Sequence, residues 1–274
     1  MKLLRIGPKG EEKPAILDRE GRARDLSGHV ADFAGKGISL EAIAAIREIT
    51  IADLPVIEGR VGACLADAPN FFAIGLNYRA HAEETGSRLP KDPMIFNKAT
   101  SCIAGPYDDL MLAGDQTDWE VELGVVIGAP LFRASEEEAM AAISGYCLVN
   151  DVSERNFQKN FSGQFVKGKS APGYGPIGPW LVTPDEVGDP QALNLRTSVN
   201  GEVQQDSSTA DMIFSVREIV TRLAFYFELR PGDIIATGTP SGVGLGQNPP
   251  RFLQSGDEME LEVAGLGIQQ TKVL

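Results

Sequence analysis

The chain has 274 residues, 43% of them apolar and 23% charged, which is the balance of an ordinary globular protein. Asp and Glu number 38 against 25 Lys and Arg, a net charge of −13, and this argues against a nucleic-acid ligand, whose phosphates need a basic face. No run approaches the roughly 18 apolar residues of a membrane helix, Met1-Lys2-Leu3-Leu4-Arg5 is too short for a signal peptide, and the scattered Cys64, Cys102 and Cys147 have no metal spacing, so a cytoplasmic protein is expected.

In chain order, Lys2–Ile6 and residues 14–18 read as short strands between Gly-rich turns. Residues 39–48 read as a helix capped by Ser39, with Leu40, Ile43 and Ile46 turned inward. A soft boundary near residue 68 divides a small N-terminal β/α unit, 1–68, from the remainder, 69–274; the first piece is too small to hold a large core alone. Beyond it strands dominate, with candidates at residues 71–74, 120–127, 146–150, 180–182, 195–199, 233–236 and 258–263. Helices at 135–143 and 215–228 interrupt them, opening with the capping-box pairs Ser135/Glu138 and Ser215/Glu218. Asn200-Gly201 is a hairpin turn, since both residues tolerate positive φ. Strands outnumber helices without regular alternation, so the expected class is α+β and β-rich, and a doubly wound α/β sheet is disfavoured.

The stretch Asp118-Trp119-Glu120-Val121-Glu122-Leu123-Gly124-Val125 alternates, placing Asp118, Glu120 and Glu122 on one strand face and Val121, Leu123 and Val125 on the other. Glu120 and Glu122 are then roughly 6–7 Å apart at Cα. Acids leading into an apolar run repel one another unless a cation neutralises them, and a hard divalent ion prefers carboxylate oxygen. A strand with one wet face fits the alternation equally well. A second apolar run, Gly145-Tyr146-Cys147-Leu148-Val149, ends at Asn150-Asp151, where the aspartate either completes an oxygen site or caps a turn.

Of the two histidines, His29 has no acidic or nucleophilic neighbour and reads as structural. His81 and Glu84 lie three residues apart, and on a helical turn they share a side. A carboxylate against imidazole fixes its tautomer and raises its basicity, which suits a water-activating base; an exposed polar turn is the plainer alternative. Gly163-Gln164-Phe165-Val166-Lys167-Gly168-Lys169-Ser170 matches the phosphate-binding P-loop letter by letter, but no buried strand precedes it and Ala171-Pro172-Gly173-Tyr174 cannot continue as a helix, so the P-loop is rejected. Gly242-Val243-Gly244-Leu245-Gly246-Gln247 lacks the last glycine of a dinucleotide fingerprint, and Pro249-Pro250 stand where its helix would run.

Taken together, these segments resemble the fumarylacetoacetate hydrolase family from about Phe72 onward. The markers are Gly75-Leu76-Asn77-Tyr78 with His81 and Glu84, then Asp118-Trp119-Glu120-Val121-Glu122, then Asn150-Asp151-Val152-Ser153-Glu154-Arg155 with Gln158. Gly168-Lys169-Ser170, Gly175-Pro176-Ile177-Gly178-Pro179-Trp180 and Pro231-Gly232-Asp233-Ile234-Ile235-Ala236-Thr237-Gly238-Thr239-Pro240 follow in order. The resemblance implies a rolled, mixed β-sheet catalytic domain after a small N-terminal domain, a divalent ion (Mg²⁺ or Mn²⁺), and a homodimer or higher homo-oligomer. It makes Glu120, Glu122 and Asp151 the metal ligands and His81 with Glu84 the water-activating dyad. Lys169 would face the substrate carbonyl or enolate, and Arg155, Gln158 and Thr239 would line the pocket. The sequence departs from the pattern at Ala171-Pro172-Gly173-Tyr174, where relatives often carry an Asp-containing segment.

The activity implied is hydrolysis of the C–C bond of a 2,4-diketo acid of acylpyruvate type, giving pyruvate and a carboxylic acid. The whole-chain pattern is most similar to members that cleave 2,4-diketo-3-deoxy sugar acids in L-fucose or L-rhamnose breakdown. The same resemblance leaves open a lyase, decarboxylase or isomerase on a related 2-keto acid, of oxaloacetate decarboxylase, ureidoglycolate lyase or 2-hydroxyhepta-2,4-diene-1,7-dioate isomerase type.

Overall fold

The two most apolar runs of the chain lie side by side. Val121–Ile127 and Ile143–Asn150 pair antiparallel from Val121↔Asn150 to Ile127↔Ile143, and every residue of both strands is buried. The alternative of a wet face on the carboxylate strand is therefore overturned: both of its faces are covered. The computed structural model describes residues 1–274 and places this pair inside a nine-stranded sheet. Its strand order is Ala23–Asp25, Lys13–Leu17, Lys2–Ile6, Leu181–Val182, Ile143–Asn150, Val121–Ile127, Ile234–Ala236, Phe71–Gly75 and Met94–Lys98. The sheet is mixed, because Ile234–Ala236 runs parallel to Phe71–Gly75 and antiparallel to Val121–Ile127.

A second sheet covers it, with Glu202–Ser208, Asn194–Val199, Glu258–Val263 and Gly267–Lys272 in that order, all antiparallel. Here the alternation is plain: Leu195, Thr197 and Val199 are buried, as are Met259, Leu261 and Val263, while the residues between them in Glu258–Val263 face solvent. The architecture is α+β and rich in strand, and no helix is long and apolar enough to cross a membrane. The first 25 residues add their three strands to the main sheet through the pairing of Lys2–Ile6 with Leu181–Val182. Leu3 and Ile16 accordingly join one continuous core with Val121, Leu148 and Val273.

Both capping boxes form, Ser135 with Glu138 and Ser215 with Glu218, on helices Glu136–Ala141 and Val216–Tyr226. The first helix ends before residue 143 because Ile143 and Gly145 already pair with Ile127 and Val126. The hairpin turn has Asn200 at φ 54° and Gly201 at φ 78°, as a two-residue turn of this chemistry requires. Met94–Lys98, a strand unmarked by any sequence period, forms because Phe71–Gly75 offers it a partner over its whole length.

One buried amide ties the two sheets together. Gln205 Oε1 accepts from the Val121 N–H at 3.0 Å and the Thr197 hydroxyl at 2.9 Å. Its Nε2 donates to Thr239 Oγ1 at 2.8 Å and to the Pro240 carbonyl at 3.0 Å. Gln205→Leu keeps the bulk but strands these buried groups, and we expect a loss of about 1–3 kcal/mol in urea unfolding. An unchanged unfolding midpoint would show that the tie is dispensable.

Candidate active site

The register of the two central strands brings the acids together. Because Val121 lies opposite Asn150, the residues just outside that pair, Glu120 and Asp151, are neighbours. The Asp151 N–H donates to the Glu120 carbonyl at 2.9 Å, and the Glu120 N–H donates to Asn150 Oδ1 at 3.2 Å. Glu122, two residues on from Glu120, comes up on the same side. Glu120, Glu122 and Asp151 are all buried, and each offers a carboxylate oxygen within 4.8 Å of the others.

Buried cations surround two of the three. Lys169 Nζ donates to Glu120 Oε2 and Asp151 Oδ2, each at 2.6 Å. Lys98 Nζ donates to Asp151 Oδ1 at 2.5 Å. Arg155 reaches Glu120 Oε1 at 2.6 Å and Asp118 Oδ2 at 2.7–2.8 Å, and donates to Gln158 Oε1 at 3.1 Å. Burial works against the Glu120 charge, yet Lys169 and Arg155 hold its carboxyl down at about 2. Burial likewise opposes the Lys169 charge, and Asp151 and Glu120 reverse it and raise the ammonium above its ordinary value. Glu122 has no cation beside it. Its Oε2 accepts only the Gly238 N–H, at 2.7 Å, and burial together with the charges of Asp151 and Glu120 pushes its carboxyl well up. Asp118, Glu120, Glu122 and Asp151 face Lys98, Arg155 and Lys169, so the buried cluster carries one more carboxylate than cation.

The histidine arrives from another direction. Leu76, at φ 53°, turns the chain out of the Phe71–Gly75 strand and into helix Arg79–Glu84. Asn77 pins the turn by donating to the Phe214 and Thr237 carbonyls at 3.0 and 2.8 Å and accepting from the Phe214 N–H at 2.8 Å. His81 Nδ1 meets Glu84 Oε2 at 3.1 Å, leaving Nε2 as its free nitrogen. The glycine run that is not a dinucleotide fingerprint proves to be the backing of this site. Gly242 N–H donates to Glu84 Oε1 at 2.9 Å, and Gly244 and Leu245 N–H donate to the Asp118 carboxylate at 2.7 and 3.0 Å. Glycine is needed for that approach: a Cβ on Gly246 would lie 2.4 Å from Glu84 Cδ, and one on Gly244 would lie 2.9 Å from Asp118 Oδ1. Nor is Gly163–Ser170 a P-loop, since helix Arg155–Asn160 rather than a strand precedes it and Val166–Lys169 is itself a short helix.

A cavity of about 170 Å³ gathers these groups. Of the nine residues singled out in the sequence, His81, Glu120, Glu122, Asp151, Arg155, Gln158, Lys169 and Thr239 line it, and Glu84 stands behind His81. Thr239 already donates to the Val121 carbonyl at 3.0 Å and accepts from Gln205; Arg155 is likewise engaged by protein carboxylates. Lys98 was not singled out, because a lysine ending a non-alternating Met-Ile-Phe-Asn-Lys run carries no signal of burial. The aromatic wall of Phe96 and Phe165, with ring centroids 5.4 Å apart, was also unmarked. A larger groove of about 580 Å³ lies on the four-stranded sheet among Arg196, Glu258, Glu260 and Lys272 and contains none of these groups.

Residues 70–274 match the family model described as fumarylacetoacetate (FAA) hydrolase, C-terminal. The chain belongs to the fumarylacetoacetate hydrolase family. A protein of Burkholderia multivorans, named only as a hydrolase, is 50% identical over 274 residues, which is 98% of this chain and 97% of its own length. Among solved structures, fumarylacetoacetate hydrolase from Exiguobacterium antarcticum is 34% identical with a TM-score of 0.86, over 100% of this chain and 99% of that one. The 2-hydroxyhepta-2,4-diene-1,7-dioate isomerase of Mycobacterium marinum is 32% identical with a TM-score of 0.74, over 100% and 98%. The family is thus one of enzymes, with hydrolases and isomerases among its members.

The acidic triad could hold a divalent ion of the kind this family uses. Its donors are all oxygen, as a hard cation prefers, and Glu122 lacks any cation partner. The three oxygens lie within 4.8 Å of one another, close enough for a single ion to meet all of them. We expect Mg²⁺ or Mn²⁺, at about a hundred times its Kd, to raise unfolding stability by ~2.7 kcal/mol, with EDTA reversing the gain and Glu122→Gln losing most of it. Thermal melts that show no metal response, or a full response in Glu122→Gln, would rule out this triad as the ion's seat.

Proposed function

We propose that the protein is a divalent-metal-dependent hydrolase that cleaves the C–C bond of a 2,4-diketo acid, releasing pyruvate and a carboxylic acid. A 2,4-diketo-3-deoxy sugar acid is the narrower substrate reading. The observation that carries the proposal is His81: its Nδ1 is held by Glu84, and the ring lines the same small cavity as Glu120, Glu122 and Asp151.

With Glu84 accepting at Nδ1, His81 Nε2 would take a proton from water as the water oxygen bonds to C4 of the substrate. Glu84, steadied by the Gly242 N–H, would stabilise the imidazolium. Lys169 directs two N–H donors at Glu120 and Asp151 and would set its positive charge beside the new oxyanion. When bound by Glu120, Glu122 and Asp151, a divalent ion would supply Lewis-acid stabilisation for the charge that builds on the 2-keto acid end. Collapse of the C4 alkoxide breaks the C3–C4 bond; the bonding pair leaves with C3 as the enolate of pyruvate, which then takes up a proton. Gln158, whose Oε1 is turned to Arg155, would offer its Nε2 to the substrate.

A lyase, decarboxylase or isomerase is the second reading, supported by the likeness to a solved structure named as an isomerase. It uses the same carboxylates but has less need of a water-activating pair. The wider proposal takes 1–68 as an N-terminal domain and 69–274 as the catalytic one, supported by a family match that begins at residue 70. It also includes a homodimer or higher homo-oligomer and a cytoplasmic location, the latter supported by three cysteines that are all free and buried.

Purified enzyme with Mg²⁺ or Mn²⁺ should release pyruvate from 2,4-diketo acids faster than it decarboxylates oxaloacetate, and EDTA should abolish both. His81→Ala should lower kcat for pyruvate release about 10²–10⁴-fold while keeping the metal-induced rise in melting temperature. Full turnover by His81→Ala would remove the histidine from the chemistry, and oxaloacetate as the better substrate would favour the second reading.

A further inference from the structure

The cations lining the cavity are not equivalent. Arg155 is engaged by Asp118, Glu120 and Gln158, and Lys169 by Glu120 and Asp151. Lys159 also lines the cavity, yet it forms no salt bridge within 4.0 Å and no hydrogen bond. It sits four residues after Arg155 on helix Arg155–Asn160, so the two side chains rise from the same helix face. Arg155 is buried beside the acids, whereas Lys159 is exposed at the solvent end of that face. Partial burial and the Arg155 charge disfavour its ammonium more than the Asp118 charge favours it, lowering its pKa, and no carboxylate stands within salt-bridge reach. Thr85 and Ser87 add hydroxyl groups to the lining, and the Phe96–Phe165 pair supplies an apolar wall.

From this arrangement we infer that Lys159 is a specificity-determining residue that pairs with a carboxylate at the far end of the substrate tail. The substrate is then a diacid: its 2-keto acid end lies toward Glu120, Glu122 and Asp151, a short apolar stretch passes the phenylalanines, and the terminal carboxylate meets Lys159. The inference rests on the proposed orientation of a 2-keto acid in this cavity and names the class of tail, a terminal carboxylate in place of the hydroxylated tail of a sugar acid. The terminal group is taken as a carboxylate because an anion is what an unpartnered ammonium recognises, and a carboxylate is the smallest organic anion that fits beside the Thr85 and Ser87 hydroxyls.

Binding separates this inference from the cleavage reaction. Calorimetry with Mg²⁺-loaded enzyme compares 2-oxoadipate with 2-oxohexanoate, and 2-oxopimelate with 2-oxoheptanoate, ligands that match in chain length and differ in the terminal group. We expect the parent to bind the better diacid roughly fivefold or more tightly than its methyl-ended counterpart, the effect of one partly screened ion pair. That ratio should fall to about one in Lys159→Gln, invert in Lys159→Glu and persist in Lys159→Arg. A ratio near one in the parent, or a preference that survives Lys159→Gln, overturns the inference. Pyruvate release from 2,4-diketo acids is scored separately, so a binding preference without cleavage would uphold the role of Lys159 while refuting the hydrolase reading.

Discussion

Four buried carboxylates cluster where the two central strands end, three of them close enough to share one ion. Carboxylates at that separation in a low-dielectric interior repel strongly, and a charge without a partner there costs several kcal/mol. The surroundings answer that constraint. The antiparallel register sets Glu120 beside Asp151, and a slip of one residue would turn Glu120 and Glu122 to the opposite face. Gln205 fixes the strand end from the second sheet by holding the Val121 N–H. Two lysines and an arginine, drawn from three separate elements, then converge on Glu120, Asp151 and Asp118.

Those cations do not make the cluster a source of stability. Buried ion pairs tend to break even against an apolar core, because desolvation offsets attraction. What they supply is geometry. Arg155 bridges Asp118 and Glu120, fixing the outer acid against the inner one. Lys169 spans Glu120 and Asp151, which come from different strands. The Gly242–Leu245 backbone performs the same office from the other side, fixing Glu84 behind the histidine and Asp118 behind the arginine.

The sequence made the inner acids legible for a simple reason: a period-two pattern states which side chains share a face, and the end of an apolar run states where a strand stops. That much placed Glu120, Glu122 and Asp151, but a wet strand face and a turn cap fitted the pattern as well, and only the family resemblance joined the three as one set. His81 and Glu84 were legible at helical spacing, and the Ser-x-x-Glu boxes marked two helix starts to the residue. What stayed hidden depends on partners distant in sequence. Lys98 is buried only because its strand pairs with Phe71–Gly75 and points the ammonium at Asp151, 53 residues away. Nothing in the sequence paired Arg155 with Asp118 and Glu120, the two carboxylates its donors meet at the edge of the cavity it lines. The Gly242–Gly246 run signalled close backbone approach, but pattern alone could not say that the approaching groups were carboxylates of the protein itself.

The charge balance of the inner cluster has a consequence for what can enter. Its four carboxylates and three cations leave it short of positive charge, concentrated at Glu122, which has only a backbone N–H beside it. One doubly charged ion would more than correct the deficit and leave the floor of the cavity cationic. A floor of that sign attracts an acid and disfavours a neutral or basic molecule of the same size. The ion would set that sign, since the charges of Lys98, Lys169 and Arg155 are matched in number by those of Asp118, Glu120 and Asp151. Acid recognition at this site would then follow from ion binding at Glu122 and its neighbours, and the selection of the rest of the molecule would fall to groups farther out.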